Sequence, residues 1–183
     1  IDGEPADPRK HNLSFVFQEP SAFPWLTAEE NIQYGLKIKK RPAREIKAQS
    51  DKIIGLLGLE KFRKAYPHEM SVSMEQRVVI GRAFAMNPDL LLMDEPYGQL
   101  DIELRFRLED ELVKLWQMTK TTVLFITHNI EEAVYLGNKI MILTNKPTTV
   151  KTTLINELPR PRDIADPQFI ELRNKVTELI KWW

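Results

Sequence analysis

The chain has 183 residues, of which 26 are basic and 26 acidic, so its formal net charge is zero. Apolar residues make up 43% and charged residues 28%, the balance of an ordinary globular domain. The absence of cysteine excludes disulfides, thiolate catalysis and cysteine-ligated zinc, and the neutral balance argues against a dedicated nucleic-acid binder.

Strand-like and helix-like runs alternate along the chain, the pattern of an α/β fold with a mainly parallel sheet flanked by helices. Residues 13–17 read as a strand that ends at Gln18-Glu19-Pro20. Thr27 and Glu30 have capping-box spacing and predict a helix to about Leu36. A second helical segment carries Ile46, Ile53, Ile54 and Leu57, and Gly58 is placed to stop it. Ser73 and Gln76 have the same capping spacing, which predicts a helix from Ser73 to Asn87-Pro88. Residues 90–93 form a wholly apolar strand of the kind buried on both faces. A helix follows with Leu104, Leu108, Leu112 and Leu115 on one stripe, then a β-branched strand over 122–127 leading to His128. Asn129 and Glu132 predict a helix start, and 139–143 a further strand. Beyond Thr144 the pattern weakens until an amphipathic helix carries Phe169, Leu172, Val176 and Ile180, against which Trp182 and Trp183 are expected to pack.

No apolar run exceeds four residues, whereas a membrane-spanning helix needs about twenty. Ile1-Asp2-Gly3-Glu4 is not the opening of a secretory leader. Both point to a soluble, cytoplasmic protein. His11, His68 and His128 lie too far apart for a local metal motif, and His68 reads as a structural or solvated loop residue.

Ligands of parallel α/β sheets bind beyond the carboxyl ends of the strands. Gln18, the pair Asp94-Glu95, and His128 each follow such an end. An amide, two adjacent carboxylates and an imidazole suit a Mg-nucleotide hydrolase, with one carboxylate on the metal and the other on an attacking water. Each group alone could merely end its strand. Together they predict one site on one sheet edge.

Residues 15–20 (Phe-Val-Phe-Gln-Glu-Pro) resemble the Q-loop strand of ABC transporter ATP-binding subunits, and 90–96 (Leu-Leu-Leu-Met-Asp-Glu-Pro) resemble their Walker B segment. Tyr97-Gly98-Gln99-Leu100-Asp101 resembles the D-loop and Ile126-Thr127-His128 the H-loop. Phe23-Pro24-Trp25-Leu26-Thr27, Tyr66-Pro67-His68-Glu69, Gln76-Arg77 and Leu158-Pro159-Arg160-Pro161-Arg162 resemble the nitrate, sulfonate and taurine importer subgroup. The resemblance runs through the whole chain in family order. It implies a partial P-loop NTPase (ABC ATPase) fold over 1–183, with a helical signature subdomain inserted at about 20–88 and a C-terminal extension at 145–183. It also implies that Gln18 and Asp94 contact Mg²⁺, that Glu95 and His128 are catalytic, and that Ser71 and Asp101 face ATP across a subunit interface. Expected partners are a second ABC ATPase subunit, in a homo- or heterodimer, and a membrane permease subunit, with no nucleic acid. The place of work is then the inner face of the cell membrane, peripherally, and 20–36 is expected to form the docking groove for the permease.

Two departures temper that expectation. No Gly-Lys pair occurs, so the phosphate loop G-x-x-x-x-G-K-[ST] cannot be assigned in these residues, and Ile1-Asp2-Gly3 resembles the segment just after it. The family's LSGG-type signature reads Met70-Ser71-Val72-Ser73-Met74, with both glycines replaced. Ser71 could still meet a partner's nucleotide, and Ser73 could simply cap a helix. The chain is therefore either the ATP-hydrolysing subunit of an importer, or a non-catalytic relative that pairs with an intact subunit. By itself it is expected not to hydrolyse ATP. Long-armed DNA-repair ABC ATPases are set aside, because too few residues separate Gln18 from Ser71 and they carry no sustained heptads.

Overall fold

The structure, a computed structural model, describes residues 1, 3–7, 9–98 and 100–181. The chain divides into two compact units, Ile1–Ile126 and Thr127–Trp183.

In the first unit, β1 (Leu13–Val16), β2 (Leu90–Asp94) and β3 (Thr122–Ile126) form a parallel sheet in the order β1-β2-β3. The register sets Phe15 beside Leu92, Leu92 beside Leu124, and Asp94 beside Ile126. Side chains alternate along strands, so Val16, Leu91 and Met93 share a face, and all three are buried. The Ser14 hydroxyl on that face donates to Ala83 O of the helix above it at 3.3 Å. The opposite face carries Phe15, Leu92, Leu124 and Ile126, and the last two each remain 53% exposed. The apolar run of β2 predicts cover on both faces; among the described residues, one face has it. Among the described residues β3 pairs with β2 alone.

Between β1 and β2 lie α1 (Ala28–Ile38), α2 (Ala43–Leu56) and α3 (Val72–Ala85), and α4 (Ile102–Thr119) joins β2 to β3. A latch closes the foot of this insertion. Asn12 N donates to Asp89 Oδ2 at 2.8 Å, Asp89 N returns a bond to Asn12 O at 2.8 Å, and Asn12 Nδ2 donates to Met86 O at 2.7 Å. The helices pack through Ala28, Ile32, Ile53, Ile54, Leu57, Val78, Val79 and Phe84. Gly81 permits this approach, since a Cβ there would lie 2.8 Å from Leu57 Cδ1 and 3.0 Å from Ile53 Cγ2. At the end of α2, Gly58 takes φ +62 while Leu59 N reaches back to Ile54 O at 3.0 Å. This glycine-terminated stop is the one the sequence predicts.

α1 begins at the predicted capping box. Thr27 Oγ1 accepts from Glu30 N at 3.3 Å, and Glu30 Oε2 accepts from Thr27 N at 2.9 Å. The Thr27 backbone N–H, helped by its hydroxyl, holds the Glu30 carboxyl below its usual pKa. A carboxylate lowered on folding contributes stability above its unfolded pKa and loses it as pH falls through the folded value. Thr27→Ala is expected to cost about 1 kcal/mol. Urea unfolding should show this as a lower midpoint at unchanged slope, with a smaller loss of stability on acidification than in the parent chain.

The start of α3 corrects the sequence reading. Ser71, not Ser73, is the N-cap, accepting from Met74 N at 3.4 Å. Ser73 lies inside the helix and is buried, with its hydroxyl 3.3 Å from that of Ser71. Gln76, expected to complete a cap, is buried with no hydrogen-bond partner for its amide among the described residues. Ser71 wins because it has the extended backbone that a cap needs, at φ −71 and ψ 159.

The second unit contains α5 (Ile130–Leu136), β4 (Lys139–Leu143), β5 (Val150–Ile155) and α6 (Pro167–Ile180). Asn129 caps α5 by accepting from Glu131 N and Glu132 N. β4 and β5 are antiparallel, and the sequence reading missed β5. Their core is Val134, Ile140, Ile142, Phe169 and Val176, with Leu172 and Ile180 packed against it. Trp182 and Trp183 lie outside the described residues.

Candidate functional site

The site grows from the carboxyl ends of β1 and β2. Asp94 is the last residue of β2, and Glu95 N still donates to Ile126 O at 2.9 Å, which ties the next residue to β3. There the chain turns sharply. Glu95 has φ +42, a left-handed conformation that costs a side-chain-bearing residue about 1 kcal/mol. Backbone held in such a region is a mark of functional turns. Gly98 N closes the turn on Glu95 O at 3.1 Å.

Gln18 lies two residues beyond β1 and is exposed. Its Nε2 and the Glu95 Oε2 each come within 3.5 Å of where a Cβ on Gly98 would sit. The amide and the carboxylate therefore both border Gly98, each at ordinary contact distance from the place of that Cβ. Gln18, Asp94 and Glu95 all belong to the first unit. His128 is exposed and belongs to the second. Its neighbours hold its backbone. The Thr127 hydroxyl donates to Glu132 Oε2 at 2.5 Å and accepts from Asn129 N at 2.9 Å.

Ser71 and Asp101 are both helix caps. Ser71 opens α3, with Val72 exposed beside it. Asp101 opens α4, its Oδ1 accepting from Leu104 N at 2.9 Å. The stretch between Glu95 and Asp101 is anchored by Tyr97, whose buried hydroxyl donates to Leu108 O at 3.3 Å and whose ring lies 5.9 Å from that of Phe125.

Sequence reasoning missed a set of residues that fix the segment after Gln18. Arg82 of α3 donates to Ser21 O at 2.9 Å and to Asn31 Oδ1 at 3.3 Å, with its guanidinium 4.5 Å from the Phe23 ring centre. Burial lowers the Arg82 pKa. Buried Asn31 accepts from Phe23 N at 2.8 Å and donates to Leu26 O at 3.0 Å. Burial raises the Glu75 pKa, partly offset by a hydrogen bond from the Ala22 backbone. A polar Asn inside the apolar stripe of α1 was the one available signal.

The ABC transporter family profile matches residues 1–98. The chain is 40% identical over 182 residues to an aliphatic sulfonates import ATP-binding protein, SsuB, of Bacillus cereus, covering 100% of this chain and 71% of that one. It is 33% identical to the nitrate import ATP-binding protein NrtD of Synechocystis sp., covering 99% of this chain and 71% of the relative. Among solved structures, a dimeric ATP-binding cassette bound to ADP and Pi superposes with a TM-score of 0.68 at 30% identity, over 83% of this chain and 66% of that one. The cbiO1 protein of Clostridium perfringens, part of the ABC transporter complex cbiONQ, shares the fold at a TM-score of 0.70 and 22% identity, over 80% of this chain and 58% of that one. By profile, by relatives and by fold, the chain belongs to the ABC transporter family, among its ATP-binding proteins.

Proposed function

We propose that the chain works in an importer of nitrate-, sulfonate- or taurine-like solutes as the ATP-binding subunit that carries the water-activating half of the site. The observation that carries this reading is that the Gln18 amide and the Glu95 carboxylate both border Gly98, with Asp94 ending the strand that leads into Glu95. Asp94 and Gln18 offer hard oxygen donors. Among the described residues no group of three or more acidic or histidine side chains forms a metal cage. Mg²⁺ takes one or two carboxylates and fills its shell with water and phosphate, so this donor set fits it. When bound, the ion supplies positive charge against the phosphate oxygens. Glu95 orients a water and accepts its proton, and Gln18 holds that water from the other side. Ser71 and Asp101 face a second ATP-binding subunit.

A second reading is favoured by one feature. Val72, 52% exposed at the first turn of α3, crowds the place where the family's glycines admit a partner's nucleotide. On that reading the chain is a non-catalytic member of a heterodimer. One experiment separates the two: steady-state phosphate release by the transporter assembled from this chain, a companion ATP-binding subunit and the permease. Glu95→Gln is expected to lower the rate at least about a hundredfold, the scale of a lost general base. An unchanged rate assigns hydrolysis to the companion.

The permease docks on 20–36, and through it the chain sits peripherally at the inner face of the membrane. No described helix is long and apolar enough to cross a bilayer. Trp25, 68% exposed and stacked 5.5 Å from Phe23, is the anchor, with the Arg82 and Asn31 bonds fixing the loop beneath it. Trp25→Ala is expected to weaken capture by the permease at least about tenfold, the effect of losing an aromatic hot spot. The thermal midpoint should stay put, because little of the side chain is buried.

A further inference from the structure

We infer that the turn between α1 and α2 binds the anionic surface of a phospholipid bilayer directly, with Lys40, Arg41 and Arg44 on the headgroups and Ile38 as the apolar anchor. This contact goes beyond docking on a permease and needs none.

The charge is local. Residues 37–47 hold six basic side chains and one acidic one, in a chain balanced at 26 and 26. Every residue from 37 to 45 is exposed, so the turn projects from its unit. Lys39 is taken up by Asn12 Oδ1 at 2.7 Å and Lys47 by Asp51 at 2.9 Å. Among the described residues Lys40, Arg41 and Arg44 form no ion pair. Arg44 also stands in the first turn of α2, where the helix dipole disfavours a cation. Three cations that no described acidic side chain pairs with suit a negative surface outside the unit.

The turn is also firm. Lys40 takes φ +52, Lys40 N donates to Lys37 O at 2.9 Å, Arg41 N to Leu36 O at 3.1 Å, and Pro42 opens α2. Little ordering entropy is lost when such a tip meets a surface.

Amid the charge stands Ile38, 66% exposed. One helical turn back is Tyr34, whose ring lies 4.6 Å from Phe23, which leads on to Trp25. A basic rim with an aliphatic and aromatic stripe is the composition of an interfacial element. An exposed basic turn meets a flat charged surface without needing a shaped pocket, whereas protein hot spots sit in pockets. The bilayer is therefore the better occupant than an acidic segment of a membrane protein.

The test is co-flotation of the purified chain with vesicles of phosphatidylglycerol and phosphatidylcholine in equal parts, against vesicles of phosphatidylcholine alone. Binding is expected to the first and not the second, and to fall away in about 0.5 M salt, where the screening length drops to a few ångströms. Lys40→Glu, Arg41→Glu and Arg44→Glu combined should lower partitioning about a hundredfold or more, at roughly fivefold for each charge removed. Ile38→Ser should lower it about tenfold, the scale of one aliphatic side chain leaving a membrane. A matched reversal at exposed Lys139, Lys146 and Lys175 should change little, and circular dichroism checks that each variant folds. Equal binding to both vesicles, no binding to either, or equal losses from the two triple variants would overturn the inference. So would binding confined to membranes that contain the permease, which would leave the docking proposal standing.

Discussion

Given ATP and Mg²⁺, the 183 residues by themselves are expected to release phosphate at no more than background rate. A triphosphate is held mainly by backbone amides of a glycine-rich loop and by its lysine, and no Gly-Lys pair occurs among these residues. Each charge-assisted hydrogen bond contributes about 1.5–3 kcal/mol. Losing three moves a micromolar site to the millimolar range or weaker, at about 1.4 kcal/mol per tenfold. Asp94 and Gln18 cannot replace that cradle, because Mg²⁺ keeps its water unless phosphate oxygens complete the shell. A second copy offers no rescue, since Val72 and Ser73 stand where its signature glycines would be. Phosphate release against ATP concentration decides the point. A rate that saturates and disappears in Glu95→Gln would refute the prediction; a rate that survives Glu95→Gln marks a contaminant.

Arg162→Ala is expected to be the most damaging single change in the second unit. α5 ends with carbonyls that have no partner in their own helix, and one guanidinium gathers them. Its Nη1 lies 2.9 Å from Val134 O, 2.8 Å from Tyr135 O and 2.9 Å from Gly137 O, and its Nε 3.2 Å from Leu158 O. Arg160 adds a bond to Tyr135 O at 3.0 Å and another to Leu136 O. Burial, followed by repulsion from Arg160, lowers the Arg162 pKa to about 10, which still leaves it charged at neutral pH. Truncation removes these charge-assisted bonds and opens a void, a loss of about 2–3 kcal/mol. Asn156 Nδ2 still reaches Val134 O and Gly137 O, and Arg160 still reaches Tyr135 O. Arg162→Lys should recover less than half, since a single ammonium cannot reproduce the planar fork. Thermal unfolding gives the magnitude, and limited proteolysis should show cutting concentrated in 127–160. A loss below about 0.5 kcal/mol, the size of a neutral surface change, would sink the account.

Local signals were legible. Thr27 with Glu30, Gly58 and Asn129 act within a few residues of themselves, and each stands where its pattern places it. The start of α3 was ambiguous because Ser71 and Ser73 both offer a cap, and only backbone geometry separates them. β5 was invisible because 150–155 becomes a strand only by pairing with β4. The strand-end residues Gln18, Asp94 and Glu95 could be placed from pattern. The grip of Arg82 on Ser21 could not, because the two stand 61 positions apart in the chain and neither carries a period or a motif. His128 was read on the same footing as the others, and it belongs to the second unit, Thr127–Trp183.

The latch between Asn12 and Asp89 has a consequence in time. Those residues are 77 apart in the chain, so β1 emerges from the ribosome well before the strand it must pair with. Parallel pairing across such a span folds slowly, because loop closure must precede any reward from the contact. Meanwhile α1, α2 and α3 can assemble through local contacts and draw the two ends of the insertion together. Translation speed across 28–85, more than overall stability, should then govern how much nascent chain reaches the folded sheet.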